Sequence, residues 1–172
     1  FDAATGERID FARARFGFRE CWMQGPHIML NGIPIRPKGC SEPRDETVIM
    51  TRGTGGNGDY YDELGRMGFE PVSGLINSSS RHNVERDLFW QSAKTNAVEH
   101  LKGWINHPSV VAWDLSNEWL CFTDTYGPDP MLPGRRFKYL SDHVRAYDPT
   151  RWTLGNGEGD FISQGRLLGF EL

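Results

Sequence analysis

Cysteine is scarce in this chain. Cys21, Cys40 and Cys121 lie far apart among 172 residues, so they supply neither a metal-binding knuckle nor the paired framework of a disulfide-stapled domain. They read as reduced, structural thiols. The histidines, His27, His82, His100, His107 and His143, include no pair at ligand spacing within one helical turn or beside a cysteine knuckle. We expect no protein-bound metal and no cofactor. Excess charge is also small: a formal net charge of -4 and a pI near 5.7 give no drive toward nucleic acid or an anionic membrane. No apolar run reaches the roughly 20 residues that span a bilayer. A starting Met and a charged-then-apolar leader are missing too, so the chain reads as an internal piece of a longer polypeptide, with nothing that specifies a compartment.

What is present suits a globular protein with a core: 38% of the residues are hydrophobic and 24% charged. Residues 7–23 alternate loosely around Ile9, Phe11, Phe16 and Phe18, the pattern of a terminal strand in a β-sandwich. His27 to Arg36 reads as strand, Asn31-Gly32, strand, and Asn-Gly is favoured in two-residue hairpin turns because both residues tolerate positive φ. Ile35 to Gly39 is the expected first strand of a parallel sheet, and Thr47 to Thr51 the next. The intervening Cys40 to Glu46 is shorter than the dozen or so residues of a parallel crossover, so these two strands are not joined in the usual way. Gly53 to Gly58 resembles a phosphate cradle only superficially, since it lacks the Lys-Ser/Thr that completes a P-loop and the Rossmann spacing. A short helix is expected over Asp59 to Met67, capped by Asp59 and closed by Gly68, then a buried strand over Phe69 to Ser73.

Val84, Leu88, Ala93, Ala97, Leu101 and Trp104 recur at steps of three to five residues, which predicts a long amphipathic helix over 84–105. Pro108 lies beyond its end. Val110 to Leu115 is apolar at five of six positions without alternation, as in a strand covered on both faces. Phe137, Leu140, Val144 and Tyr147 mark a second helix closed by Asp148-Pro149, followed by a strand at Trp152 to Leu154. Alternating helix and strand argue for a parallel α/β sheet. At most five strands can be counted, whereas a closed barrel takes eight.

The run from Asn106 to Trp119 carries the chemistry. Its apolar strand stops at Ser116-Asn117-Glu118, which places an amide and a carboxylic acid at the carboxyl end, where barrels and open α/β sheets bind their ligands. A glycosidic oxygen leaves poorly until an acid protonates it, and that acid works with a second carboxylate. Glu118 is the candidate proton donor, Asn117 the candidate partner of a sugar hydroxyl, and Trp119 a candidate sugar-binding aromatic. Trp113, inside the strand, reads as packing. Asp114 must be paired or lie at a mouth, and an Arg on a neighbouring element is the expected partner.

Asn106-His107-Pro108-Ser109, two aliphatics, Trp113 and the terminal Asn117-Glu118 together resemble the acid/base segment of glycoside hydrolase family 2. Upstream, Arg15-Phe16-Gly17-Phe18-Arg19-Glu20, then Met29 to Ile35 and Lys38-Gly39, is similar to that family's passage from an immunoglobulin-like sandwich into its catalytic barrel. Tyr60 to Gly65 and Asp148-Pro149-Thr150-Arg151 resemble the lead-ins to its third and fifth strands. The resemblance implies an incomplete (β/α)8 barrel over 24–172, preceded by the end of a sandwich over 1–23. It also implies hydrolysis of β-linked glycosides with retention, Glu118 acting as acid then base. The family's nucleophile is a Glu at the end of the seventh strand, downstream of this chain; Glu158 is the nearest substitute within it, with Asp160 and Glu171 behind. A further helix, strand and Arg-containing substrate segment that the family carries near residues 40–46 find no counterpart. The implied partners are a carbohydrate and the rest of the same polypeptide, or a second copy through the open sheet edge. The alternative is a catalytically inactive carbohydrate-binding or structural remnant.

Overall fold

The computed structural model describes residues 1–10, 12, 16–40, 50–52, 58, 62, 67–72, 82–117, 129 and 132–156. Two sheets are present among them. The first is an antiparallel meander of β1 (Cys21–Gln24), β2 (His27–Leu30) and β3 (Ile33–Ile35). Asn31 and Gly32 turn the second hairpin at φ 49° and 83°, the two positive values that a tight hairpin turn requires and that Asn-Gly supplies with least strain. The Asn31 side chain also accepts the Glu20 N–H at 2.8 Å, tying the turn to the chain entering β1. Of the strand expected over 7–23, only its last three residues are in β1; the other described residues of that span form no strand.

The second sheet is parallel, in the order β4 (Gly39–Cys40), β5 (Met50–Arg52), β6 (Met67–Pro71), β7 (Val110–Asn117) and β8 (Trp152–Asn156). Its first strand therefore begins at Gly39, and Ile35 belongs to the hairpin instead. Between β4 and β5 lie only residues 41–49, fewer than a helical crossover takes. Met67 and Gly68 are strand residues, not the end of a helix: the backbone N–H of Gly68 donates to Ser109 O at 2.8 Å. Asp59, the expected cap, lies outside the described residues, while Gly58 and Asp62 are helical.

Helix α1 (Asp87–Trp104) and helix α2 (Leu132–Tyr147) cover one face of this sheet. Trp90, Ala93, Ala97 and Leu101 form the buried stripe of α1, and Phe137, Leu140 and Val144 that of α2. Leu88 and Tyr147 fall off these stripes and are exposed; Leu88 lies roughly 140° from Ala93 at 100° per residue, so the helical phase gives its place to Trp90. Val84 is buried although it precedes the helix. Its carbonyl accepts from Trp90 Nε1 at 3.0 Å and from Arg136 Nε at 3.1 Å, joining the start of α1 to α2.

Packing tells the two faces of the parallel sheet apart. Val110, Trp113 and Leu115 join the helix residues in one cluster, whereas Met67 and Val111 pack with Cys21, Ile28, Leu30, Ile35 and Phe69. The hairpin meander thus lies against the face that the helices leave, toward the amino ends of the strands.

Candidate active site

Strand β7 is buried from Val110 through Ser116, as its mostly apolar, non-alternating sequence requires. Trp113 and Leu115 point to the helices. Asp114 pairs with Pro71 on one side and Leu154 on the other, and it shares their face, away from the helices. Thr153 checks this phase independently: its hydroxyl lies 2.7 Å from Ser141 Oγ on α2, so its neighbour Leu154 faces the other way. Between Asp114 and Asn117 the register with β8 slips by one residue, so that Asn117 pairs with Asn156. Such a bulge re-aims the residues that follow it. Without it Asn117 would take the helix-facing phase of Trp113 and Leu115; with it Asn117 joins the face of Asp114, at the carboxyl end of the strand.

Asn117 is half-buried there. Glu118 and Trp119, with Glu158, Asp160 and Glu171, lie outside the described residues. Trp113 is fully buried and packs as expected, with its indole Nε1 donating to Asp148 Oδ2 at 2.8 Å. Asp114 is 5% exposed. Arg151, which precedes the paired strand β8, forms an ion pair with Asp148.

The opposite end of β7 holds a polar clamp whose residues the sequence showed without revealing their work. Asp62 Oδ2 lies 2.7 Å from His107 Nδ1, and its other oxygen accepts the Ser109 N–H at 2.8 Å. The His107 ring tilts against Trp104, which stacks on His100, and His100 Nε2 lies 2.9 Å from buried Glu70. On the other flank Arg151 donates to the carbonyls of Val110, Ile105 and His107 and to Asp148. Asp148 accepts from Trp113, Arg151 and Thr150. Burial pushes the Asp148 carboxyl upward, but the hydrogen bonds from Thr150 and Arg151 outweigh it and hold the pKa below its ordinary 3.8. Strand β7 is therefore anchored at its amino end by charge-assisted bonds and carries its polar residues at the other.

Among the described residues no group of three His, Cys, Asp or Glu could hold a metal ion, and no helix is long and apolar enough to cross a membrane. A groove of about 380 Å3 between α1 and α2 is lined only by helical residues, including Lys94, Tyr139 and His143. It lies on the outer layer, away from the strand ends.

A parallel sheet flanked by helices, with polar residues gathered at the carboxyl end of a central strand, is the plan of barrel enzymes. Residues 62–161 match the family model described as glycosyl hydrolases family 2, TIM barrel domain. The chain belongs to that family. Its fold is shared with solved structures at low identity. A Parabacteroides merdae β-glucuronidase is 22% identical at a TM-score of 0.60, covering 80% of this chain and 21% of its own. A family 2 β-galacturonidase from Eisenbergiella tayi bound to galacturonate is 23% identical at 0.62, covering 81% and 29%. A Ruminococcus gnavus β-glucuronidase in complex with an N1-substituted uronic isofagomine is 20% identical at 0.63, covering 88% and 29%. This chain thus spans less than a third of the length of each. No curated protein matches it significantly.

Proposed function

We propose that the polypeptide carrying this chain hydrolyses β-linked glycosides by retaining double displacement, with Glu118 as the acid and then the base. Asn117 binds a hydroxyl of the sugar next to the cleaved bond, Trp119 contacts the substrate, and the nucleophile comes from beyond these residues. The observation that carries this reading is the phase of Asn117: within the family-matched residues it ends a central parallel strand on the face away from the helices, and position 118 follows it directly. A carboxyl at such a strand end has to be protonated when the leaving group departs, which burial or a nearby second carboxylate achieves by raising its pKa.

Residues 1–23 are taken as the end of a sandwich domain and 24–172 as the first part of the barrel. Ile9, Phe16 and Phe18 are 70%, 70% and 90% exposed, an apolar surface that a preceding domain would cover. The remaining strands of the barrel would complete the sheet beyond β8. A carbohydrate is the substrate, and no nucleic acid or membrane partner is called for.

Glu118→Gln in the complete polypeptide tests the assignment. Hydrolysis of alkyl β-glycosides should fall by about 10^2–10^4-fold, the usual contribution of a positioned acid, while 2,4-dinitrophenyl glycosides, which leave without a proton, keep their first step. Undiminished turnover of the alkyl glycosides would exclude Glu118 as the acid. The isolated chain should not turn over chromogenic β-glycosides; rapid hydrolysis would place a working nucleophile inside it, with Glu158 the first to replace.

A further inference from the structure

One buried carboxylate has no part in the chemistry proposed above. Asp114 is 5% exposed and lies on the β7 face away from the helices. Toward the amino end of that face is the apolar cluster of Met67, Val111 and Phe69, and at the carboxyl end is Asn117. The neighbours of Asp114 on the flanking strands, Pro71 and Leu154, carry no side-chain hydrogen-bond donor. The slipped register decides what stands next to it along β7. Asp114 pairs with Leu154, and Asn117 with the residue two positions further along β8, so the two β7 residues are separated by about 6.6 Å, the rise of two strand residues rather than three. Without the bulge they would be about 10 Å apart and on opposite faces. With it the carboxylate and the half-buried carboxamide of Asn117 are successive side chains of one face.

A carboxamide has a donor end and an acceptor end of nearly the same shape, and a half-turn about its last torsion exchanges them. A neighbouring carboxylate removes that freedom, because it attracts the N–H2 end and repels the oxygen. The oxygen is then turned toward the rim. Resting on the function proposed above, we infer that Asp114 is a positioning residue, which orients the Asn117 carboxamide so that its Oδ1 accepts a hydrogen bond from a hydroxyl of the sugar. Asp114 acts through Asn117 and does not itself touch the substrate.

The test uses the complete polypeptide with the best hydrolysed of three 4-nitrophenyl substrates, the β-glucuronide, β-galactoside and β-mannoside, and with the monodeoxy analogues of that sugar. Asp114→Asn, of nearly the same shape but without the charge, should lower kcat/KM on the parent by roughly 10-fold, the loss of one well-directed hydrogen bond to substrate. In an Asn117→Ala background, which has no carboxamide to orient, the same substitution should cost no more than about twofold. It should cost equally little on the one deoxy analogue that Asn117→Ala hydrolyses as well as wild type does. Losses that multiply in the double variant, or that fall equally on every analogue, would mark a residue that merely supports the strand and overturn the inference. So would a parent kcat/KM within about twofold of wild type for either single variant. Should Asp114→Asn melt at the assay temperature, Asp114→Glu, which keeps the charge and shifts it by one methylene, is read on the same substrates: a loss that spares the same analogue supports the assignment, and a uniform or absent loss overturns it. Glu118→Gln is run in parallel. If it retains full activity on alkyl glycosides the functional reading falls; if it is inactive while the Asp114 and Asn117 losses multiply, only the present inference falls.

Discussion

Replacing Asp148 by Ala should destabilise the complete protein by about 4 kcal/mol, although the residue is far from the proposed chemistry. Asp148 is 1% exposed and accepts hydrogen bonds from Trp113 Nε1, Arg151 and Thr150. Its removal orphans a fully buried indole N–H, which costs about 1–3 kcal/mol. It also strips the guanidinium of Arg151, 14% exposed, of its counter-charge, and breaking a buried ion pair costs about 3–5 kcal/mol. That second cost falls at the low end, because Arg151 keeps the carbonyls of Ile105, His107 and Val110. Asp148→Asn, which retains an acceptor for Trp113, should lose about 2 kcal/mol. Urea unfolding at pH 7 reads both values. The pH dependence adds a second check. The native carboxyl has a pKa depressed from 3.8, so its stabilising contribution is fully present above that value and is lost as pH falls through the lower, folded-state pKa. The gap between wild type and Asp148→Asn should stay constant from pH 7 to about 5 and narrow below about 4. A loss under about 1 kcal/mol for Asp148→Ala, or a gap indifferent to acid, would refute the clamp.

The other flank of β7 makes its own predictions. Asp62→Ala removes the partner of His107 Nδ1 and of the Ser109 N–H, and should cost about 2–3 kcal/mol in urea unfolding; a change within 0.5 kcal/mol of zero would remove that pair from the account. Gly58→Ala places a Cβ 2.7 Å from Trp104 and 2.9 Å from the His107 ring, so overpacking should lower stability by about 1–3 kcal/mol and alter Trp fluorescence. Thr153→Val alone leaves the Ser141 hydroxyl without its 2.7 Å partner and should cost about 1 kcal/mol, whereas Thr153→Val with Ser141→Ala should recover most of it. Additive losses in that double variant would show that the two hydroxyls do not depend on each other.

The helices and central strand were legible because each obeys one period. Trp90, Ala93, Ala97 and Leu101 keep a 3.6-residue stripe, and Val110 to Leu115 is apolar at every position but Asp114, as burial on both faces favours. Leu88 misled because hydrophobicity alone does not fix the helical phase; Trp90 holds the stripe through its size and its bond to Val84 O. Ile35 and Gly39 were merged into one strand because a hairpin strand and a parallel strand are chemically alike over three residues, and only the pairing partner separates them. Asp62 and Asp148 escaped as clamp residues since a carboxylate within or just after a helix looks solvated until its partners, 45 and 35 residues away, are brought in by the fold.

The bulge in β7 escaped for a similar reason, and it decides how the family motif divides. Asn106 to Glu118 reads in sequence as one continuous signature, but its described residues fall into two groups. His107, Ser109 and Trp113 are held by Asp62, Asp148 and Arg151 at the amino end of the strand or along its helix-facing side. Their partners among the described residues all lie at that end of the strand or on that side. Asn117, beyond the slipped register, is released to the opposite face. Loss at the first group should therefore appear chiefly as lost stability, with kcat/KM preserved in whatever fraction remains folded. On the proposed function, loss at Asn117 should appear as lost kcat/KM beyond any shift of the urea midpoint. On the proposed function, the shared part of the signature mixes residues that hold the strand with residues that the strand presents to substrate, and a chain that kept only the first kind would still carry most of the motif.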